Sequence, residues 1–187
     1  MWCDNIMQSN GLLQAEVGDR GVKSRRRERL VDVEPGGVTA DYVPFYYAPR
    51  SPMMYVISKG RVPEYQDGLD PLVYLVATPE HLAAAGCRAI ISDGNCASAL
   101  TEFSADLADL DRLVDWDLMA ATMWKDTFED GDRMRRRAAE FLVHQHVPWS
   151  AISAIATRTE PMLEEALAIL GGLDITIPAK ARPAWYY

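Results

Sequence analysis

The chain has 187 residues, of which 49% are hydrophobic and 25% are charged, a composition typical of a globular protein with one core. No apolar run approaches the ~20 residues of a transmembrane helix, and no secretory signal pattern opens the sequence. The formal net charge of -8 argues against a general nucleic-acid binder, and three cysteines without metal-ligand spacing argue against a zinc site. The sparse cysteines fit a reducing environment, so we expect a cytoplasmic protein. From the length of the chain we expect a single domain over residues 1–187.

The first half of the chain changes character near residue 42. Before it the sequence is polar, with a helix predicted over 22–30. After it come two aromatic and β-branched runs, 42–48 and 53–58, which predict strands. The turn between them is Pro49-Arg50-Ser51-Pro52, whose prolines restrict the backbone on both sides of Arg50. A further apolar run, 71–77, predicts a buried strand.

The second half mixes short strands with helices. Thr78 is a predicted cap for a helix over 79–85, and Thr159 for a helix ending near Leu170. Apolar spacing between 97 and 139 indicates helices separated by acidic loops. The remaining predicted strands are 87–91, 140–146, 154–157, 174–178 and 184–187.

This irregular order of strands and helices predicts an α+β fold with a largely antiparallel sheet. No glycine-rich phosphate loop follows a strand, so neither a Rossmann fold nor a Walker motif is indicated.

Two dense basic runs interrupt the acidic sequence, at 23–29 and 133–137. Each is either a solvated helix face or a local patch for a polyanion such as DNA. The candidate DNA-binding residues in these runs are Arg25, Arg26, Arg133 and Arg136.

Two charged residues stand against apolar, strand-like runs and are the candidates for chemistry. Glu140 opens the strand at 140–146, where it either pairs with Arg136 or Arg137 at the surface or projects into a pocket. Arg50 is either a structural arginine or a group that grips a phosphate bidentately. Burying either charge is costly without a partner, which favours a cleft.

The tyrosines and histidines are weaker candidates for a functional role. Tyr46 and Tyr47 face opposite sides of a regular strand, so at most one is expected to line a cleft. His144 and His146 share a strand face, but no third ligand is evident, so we expect no metal.

Six blocks of the sequence together resemble the DarT family, the toxins of the DarT–DarG toxin–antitoxin systems. The first is Tyr42-Val-Pro-Phe-Tyr-Tyr-Ala-Pro-Arg-Ser-Pro-Met-Met-Tyr-Val-Ile57. The others follow in the family's order: Pro71-Leu-Val-Tyr-Leu75, Ser92-Asp-Gly-Asn95, Asp115-Trp-Asp-Leu118, Arg137-Ala-Ala-Glu-Phe-Leu-Val143 and Arg182-Pro-Ala-Trp-Tyr-Tyr187.

The resemblance implies an ADP-ribosyltransferase fold like that of poly(ADP-ribose) polymerases, with two packed, mostly antiparallel sheets and flanking helices. It implies transfer of ADP-ribose from NAD+ to a base, thymine rather than guanine, in single-stranded DNA. The family's catalytic arginine and glutamate fall on Arg50 and Glu140, and we expect Arg50, Tyr47 and Glu140 to contact NAD+. The segment 100–140 is expected to position the DNA, and a DarG-like macrodomain antitoxin is the expected protein partner.

One departure from the family pattern bears on activity. Family members carry a His-x-Thr-like motif that holds NAD+ before the Trp-Cys-Asp block, which here is Trp2-Cys3-Asp4. The sequence therefore leaves an alternative open: a catalytically impaired relative that binds DNA or the antitoxin.

Overall fold

A computed structural model describes residues 1–13 and 15–187. The helices are α1 Asp4–Ser9, α2 Arg20–Glu28, α3 Pro52–Ser58, α4 Pro79–Ala84, α5 Leu110–Leu113, α6 Trp116–Ala120, α7 Arg133–Arg136 and α8 Glu160–Gly172. The strands are β1 Tyr42–Tyr46, β2 Tyr74–Val76, β3 Ala89–Ser92, β4 Phe103–Ser104, β5 Glu140–His144, β6 Ala154–Thr157 and β7 Ala179–Ala181. Short 3-10 turns occupy Thr39–Asp41, Leu107–Asp109, Trp149–Ala151 and Pro183–Trp185.

The strands form two sheets, ordered β1-β5-β3-β4 and β2-β6-β7. All pairs of described strands are antiparallel except β6 with β7. The predicted α+β class with largely antiparallel sheets is therefore confirmed.

Strand β5 is the centre of the larger sheet and is buried on both faces. Leu142 and Val143 are 0% exposed and point to opposite sides of the strand. Val143 packs in one hydrophobic cluster with Val43 and Ile91, and Leu142 packs in another with neighbouring strands. Fully burying one such aliphatic side chain is worth about 1.5–3 kcal/mol, so the start of β5 is rigidly placed.

The predicted strand over 53–58 is wrong, because this run forms helix α3. The Ser51 hydroxyl accepts a hydrogen bond from the Met54 amide at 3.2 Å, and Pro52 occupies the first turn. Ser51 is thus an N-cap, and the buried residues Met54 and Ile57 have helical spacing.

The two closing strands are also wrong in detail. The last strand is Ala179–Ala181 rather than 174–178, and the run at 184–187 includes the 3-10 turn Pro183–Trp185. Pro183 has no amide hydrogen to donate to a neighbouring strand. The strand was predicted there from aromatic composition alone.

Candidate active site

Glu140 is the first residue of β5 and lies directly opposite Tyr46 of β1. Its backbone amide donates to the Ser92 hydroxyl at 2.9 Å, which ties the start of β5 to the end of β3. The residue is 4% exposed, so its carboxylate requires an internal partner.

That partner is Arg26 of α2, whose Nη1 donates to Glu140 Oε2 at 2.7 Å. Burial opposes the charge on Arg26, but the Glu140 carboxylate outweighs it and raises the pKa of Arg26 above its ordinary value. Thr39 holds the helix in place, since its hydroxyl donates to the Arg26 carbonyl at 3.0 Å and its carbonyl accepts from Arg26 Nη2 at 3.3 Å. The pair is therefore a fixed, partly desolvated ion pair.

The loop after β3 packs beside the start of β5, where Glu140 lies. The Ser92 hydroxyl lies 2.9 Å from the Gly94 carbonyl, and the buried Cys96 thiol lies 3.3 Å from the same hydroxyl. Burial, followed by the charge of Glu140, raises the pKa of the Cys96 thiol well above its usual value, so the thiol stays neutral. The Arg135 guanidinium bonds Asp93 and lies so close to Gly94 that a side chain there would collide with it.

A cavity of about 330 Å³ opens beside β1 and β5. Tyr46 and Tyr47 both line it, contrary to the expectation that at most one would. The Tyr47 hydroxyl is buried and has no hydrogen-bond partner among residues 1–13 and 15–187, while the Trp116 ring packs on Tyr47 at 5.6 Å. A buried unpaired hydroxyl is costly, so Tyr47 is suited to hydrogen-bond a ligand. Burial raises the pKa of Tyr47, which keeps that hydroxyl protonated.

Arg50 lies in the turn after β1 and is exposed, with a left-handed backbone at φ 56°. Its Nε donates to the Tyr186 carbonyl at 3.0 Å, and its amide lies within hydrogen-bond distance of the Tyr74 hydroxyl at 3.1 Å and the Trp185 carbonyl at 3.2 Å. The Tyr187 hydroxyl donates to the Arg50 carbonyl at 2.6 Å. C-terminal residues far away in the sequence thus hold the turn.

Arg137 supports the same turn from inside the protein. It is 3% exposed, and its Nη2 donates to the carbonyls of Pro49 at 2.8 Å and Arg50 at 3.4 Å. Burial without a paired carboxylate in the described part of the chain lowers the pKa of Arg137. Since Arg137 precedes Glu140 by three residues, the Arg50 turn and Glu140 lie at the same end of the β1–β5 pair.

The structure therefore brings Arg50 and Glu140 to one end of the sheet without joining them. The described residues contain no hydrogen bond or ion pair between these two side chains, and the arginine that contacts the carboxylate is Arg26. The sequence pattern indicated Arg26 only as a candidate for DNA binding. Arg25, Arg26 and Arg27 are adjacent, and nothing in the local sequence indicates which of them faces inward.

The other DNA-binding candidates divide into free and occupied groups. Arg25 is exposed on α2. Arg133 donates to the carbonyls of Met123 at 2.8 Å and Lys125 at 3.1 Å, and Arg136 forms ion pairs with Asp115 and Asp130. Their predicted contact with DNA stays a prediction.

A second cavity, about 650 Å³, has a different lining. Its charged residues are Asp93, Glu102, Asp111, Arg112, Asp115, Asp117 and Arg136. The excess of carboxylates makes it a poor site for a phosphate ligand. Among the described residues no cluster of His, Cys, Asp and Glu could hold a metal ion, and no helix is long and apolar enough to cross a membrane.

Comparison with known proteins defines the class of this site. A model of the family described as "ssDNA thymidine ADP-ribosyltransferase, DarT" matches residues 1–187. The chain belongs to the DarT family, which confirms the resemblance seen in the sequence.

Individual relatives agree with this assignment. A DNA ADP-ribosyl transferase of Mycobacterium tuberculosis is 36% identical over 178 residues, covering 92% of this chain and 76% of the relative. One from Thermus sp. is 35% identical over 180 residues, covering 93% and 82%.

Solved structures extend the agreement to the fold. Thermus sp. 2.9 DarT in complex with ADP-ribosylated ssDNA superposes with a TM-score of 0.91 at 33% identity, covering 100% of this chain and 87% of that one. The same protein in complex with NAD+ gives 0.85 at 32% identity, with 100% and 87% coverage. The predicted ADP-ribosyltransferase fold is confirmed.

Proposed function

We propose that this chain transfers ADP-ribose from NAD+ to thymidine in single-stranded DNA, with residues 1–187 acting as one catalytic domain. Family membership supports the reaction, and the relatives that bind NAD+ and carry ADP-ribosylated ssDNA superpose along the whole chain. The observation that carries the proposal is the buried carboxylate of Glu140, held in place by Arg26 at the end of the central strand.

Glu140 acts on the ribose of NAD+. When the bond between ribose C1′ and nicotinamide breaks, nicotinamide leaves with the bonding electrons and positive charge builds on the sugar. A fixed carboxylate nearby stabilises that charge and accepts a hydrogen bond from a ribose hydroxyl. Arg26 holds the carboxylate in a fixed orientation, so little reorganisation is needed as the bond breaks.

Thymine N3 then forms the new bond to C1′, and its proton passes to solvent water. A guanidinium has no lone pair to take that proton in its ordinary state, so Arg50 acts through its charge. At the mouth of the site it binds cofactor phosphates and stabilises negative charge on the thymine as the proton leaves. Tyr47 donates its unpaired hydroxyl to the cofactor.

From family membership we also propose a cytoplasmic protein with a macrodomain partner that removes the modification. Incubation of modified DNA with such a macrodomain and release of ADP-ribose would test this.

The function is tested by mass spectrometry of oligonucleotides after incubation with NAD+. A strand with one thymidine should gain one ADP-ribose, and a strand with thymidine replaced by guanosine should gain none.

Glu140→Gln should lower the rate about 100-fold, because one transition-state electrostatic contact is worth that much. Glu102→Gln is the matched control, since Glu102 is half exposed and pairs with Arg112 at the surface. Equal rates for Glu140→Gln and Glu102→Gln would contradict the role of Glu140, and absence of product with wild type would favour a binding module.

A further inference from the structure

A row of aromatic rings and cations extends from the Arg50 turn over the neighbouring surface. We call it the aromatic–cation strip and define it by Lys59, Tyr55, Tyr187, Arg50, Trp185 and Arg182. Lys59 Nζ lies 5.3 Å from the Tyr55 ring, the Arg50 guanidinium 5.8 Å from Tyr187, and the Arg182 guanidinium 5.9 Å from Trp185. Each of the three rings thus has one cation over it.

Two rings of the strip contact each other, and the third, Trp185, is linked to Arg50 through its backbone carbonyl. Tyr55 and Tyr187 contact each other at 5.2 Å between centroids. Trp124 joins both, since its ring lies 5.6 Å from Tyr55 and its Nε1 donates to the Tyr187 hydroxyl at 3.2 Å. The rings are partly exposed, and the Tyr187 hydroxyl also holds the Arg50 carbonyl. The strip is therefore anchored to the same turn as the candidate active site.

In the described part of the chain, the cations of the strip lack carboxylate partners, unlike several arginines of the helical segment before β5. Lys59, Arg50 and Arg182 are exposed, and no carboxylate lies within 4.0 Å of them in residues 1–13 and 15–187. In contrast, three arginines between residues 110 and 136 are paired with acids: Arg112 with Glu102, Arg135 with Asp93 and Arg136 with Asp115. On a chain of net charge -8, unpaired cations gathered on rings leave a local site for a polyanion.

We propose that the aromatic–cation strip binds the nucleotides flanking the modified thymidine, with bases stacked on its rings and phosphates beside its cations. Rings next to cations suit single strands, because every base has a π-face and every linkage a charge. This inference rests on the proposed function, which places a single strand at the Arg50 turn. The strip supplies affinity without reading sequence, since it offers rings and point charges rather than a set of base-edge contacts.

The first test measures binding of a fluorescent oligothymidylate by anisotropy. Lys59→Glu and Arg182→Glu, at the two ends of the strip, should each weaken binding roughly 5-fold or more at low salt and reduce the salt slope by about 0.7 per lost phosphate contact. Arg88→Glu is the matched control, because Arg88 is an exposed arginine outside the strip. If all three variants bind alike, the strip does not contact DNA.

The second test separates stacking from charge. Tyr55→Leu keeps an apolar side chain but removes the π-face, and it should weaken binding roughly 5-fold or more, the size of one base–aromatic stack. Tyr55→Phe keeps the ring and should bind as wild type does. Equal binding by the two variants would rule out stacking on Tyr55.

A third measurement distinguishes failure of the strip from failure of the proposed function. Wild type should modify a long oligonucleotide with a lower KM than a short one that ends near its thymidine, and Lys59→Glu should lose only that advantage. A length advantage that survives in Lys59→Glu and Arg182→Glu overturns the strip while leaving the transferase intact. Charge-dependent binding without any product overturns the transferase while leaving the strip intact.

Discussion

Arg26 and Arg50, which lie at the same end of the β1–β5 pair, are held in opposite ways. The Arg26 side chain is 12% exposed, is bonded to Glu140 and is positioned by a helix. Arg50 is exposed, and it is placed mainly by bonds to its backbone from remote aromatic residues. A fixed ion pair suits a charge that must stay in one place during bond cleavage. An exposed guanidinium on a braced turn suits a charge that meets incoming phosphates. The difference separates the part of the site built for the ribose from the part built for polyanions.

The largest effect that tests this comparison is on stability. Arg26→Met should lower the free energy of unfolding by about 3–5 kcal/mol, because it leaves the buried Glu140 carboxylate without its partner. Urea denaturation followed by circular dichroism measures the change. Arg25→Met is the control, as the neighbouring exposed arginine should cost under about 0.5 kcal/mol. The double variant Arg26→Met/Glu140→Leu should regain much of the stability but no activity. Similar losses for Arg25→Met and Arg26→Met would remove the distinction between the two helix positions.

The next effect is on activity at the exposed arginine. Arg50→Ala should lower kcat/KM about 10- to 100-fold, because hydrogen bonds to charged groups are worth about 1.5–3 kcal/mol. Its fold should remain, as shown by an unchanged circular dichroism spectrum. Arg50→Gly accommodates the left-handed backbone and separates loss of the guanidinium from strain. Unfolding of both variants would make Arg50 a structural residue.

The smallest effect lies at the far end of β5. Burial and then the nearby Arg88 lower the pKa of His144, whose Nδ1 lies 3.1 Å from Arg88 Nη2 and so accepts as a neutral ring. Because the unfolded chain takes up the proton more readily, the stability from neutral His144 is present above about pH 6.5 and is lost as the pH falls below it. The loss should be under about 1 kcal/mol, since the ring is partly screened by solvent.

Thermal unfolding between pH 5 and 8 measures this dependence. His144→Gln should flatten it, while His81→Gln, which changes an exposed histidine on α4, should leave it unchanged. A profile that is the same in all three proteins would assign the dependence to other groups.

Much of the fold and one half of the site could be predicted from the sequence. The apolar runs of β1 and β5 predict strands, and a glutamate at the start of an apolar strand is visible as an anomaly. The rest depends on contacts between distant residues. Which of three adjacent arginines meets Glu140 is decided by how α2 packs on Thr39. The run 53–58 has strand-like composition, but the Ser51 cap and the neighbouring core make it a helix.

The loop below Glu140 has a consequence for variation in this chain. Because the Arg135 side chain lies against Gly94, a methyl group at position 94 would require that side chain to move. A methyl there would force the guanidinium aside and disturb its ion pair with Asp93. We therefore expect libraries of functional variants to tolerate changes on much of the surface yet to return glycine at this one inconspicuous position.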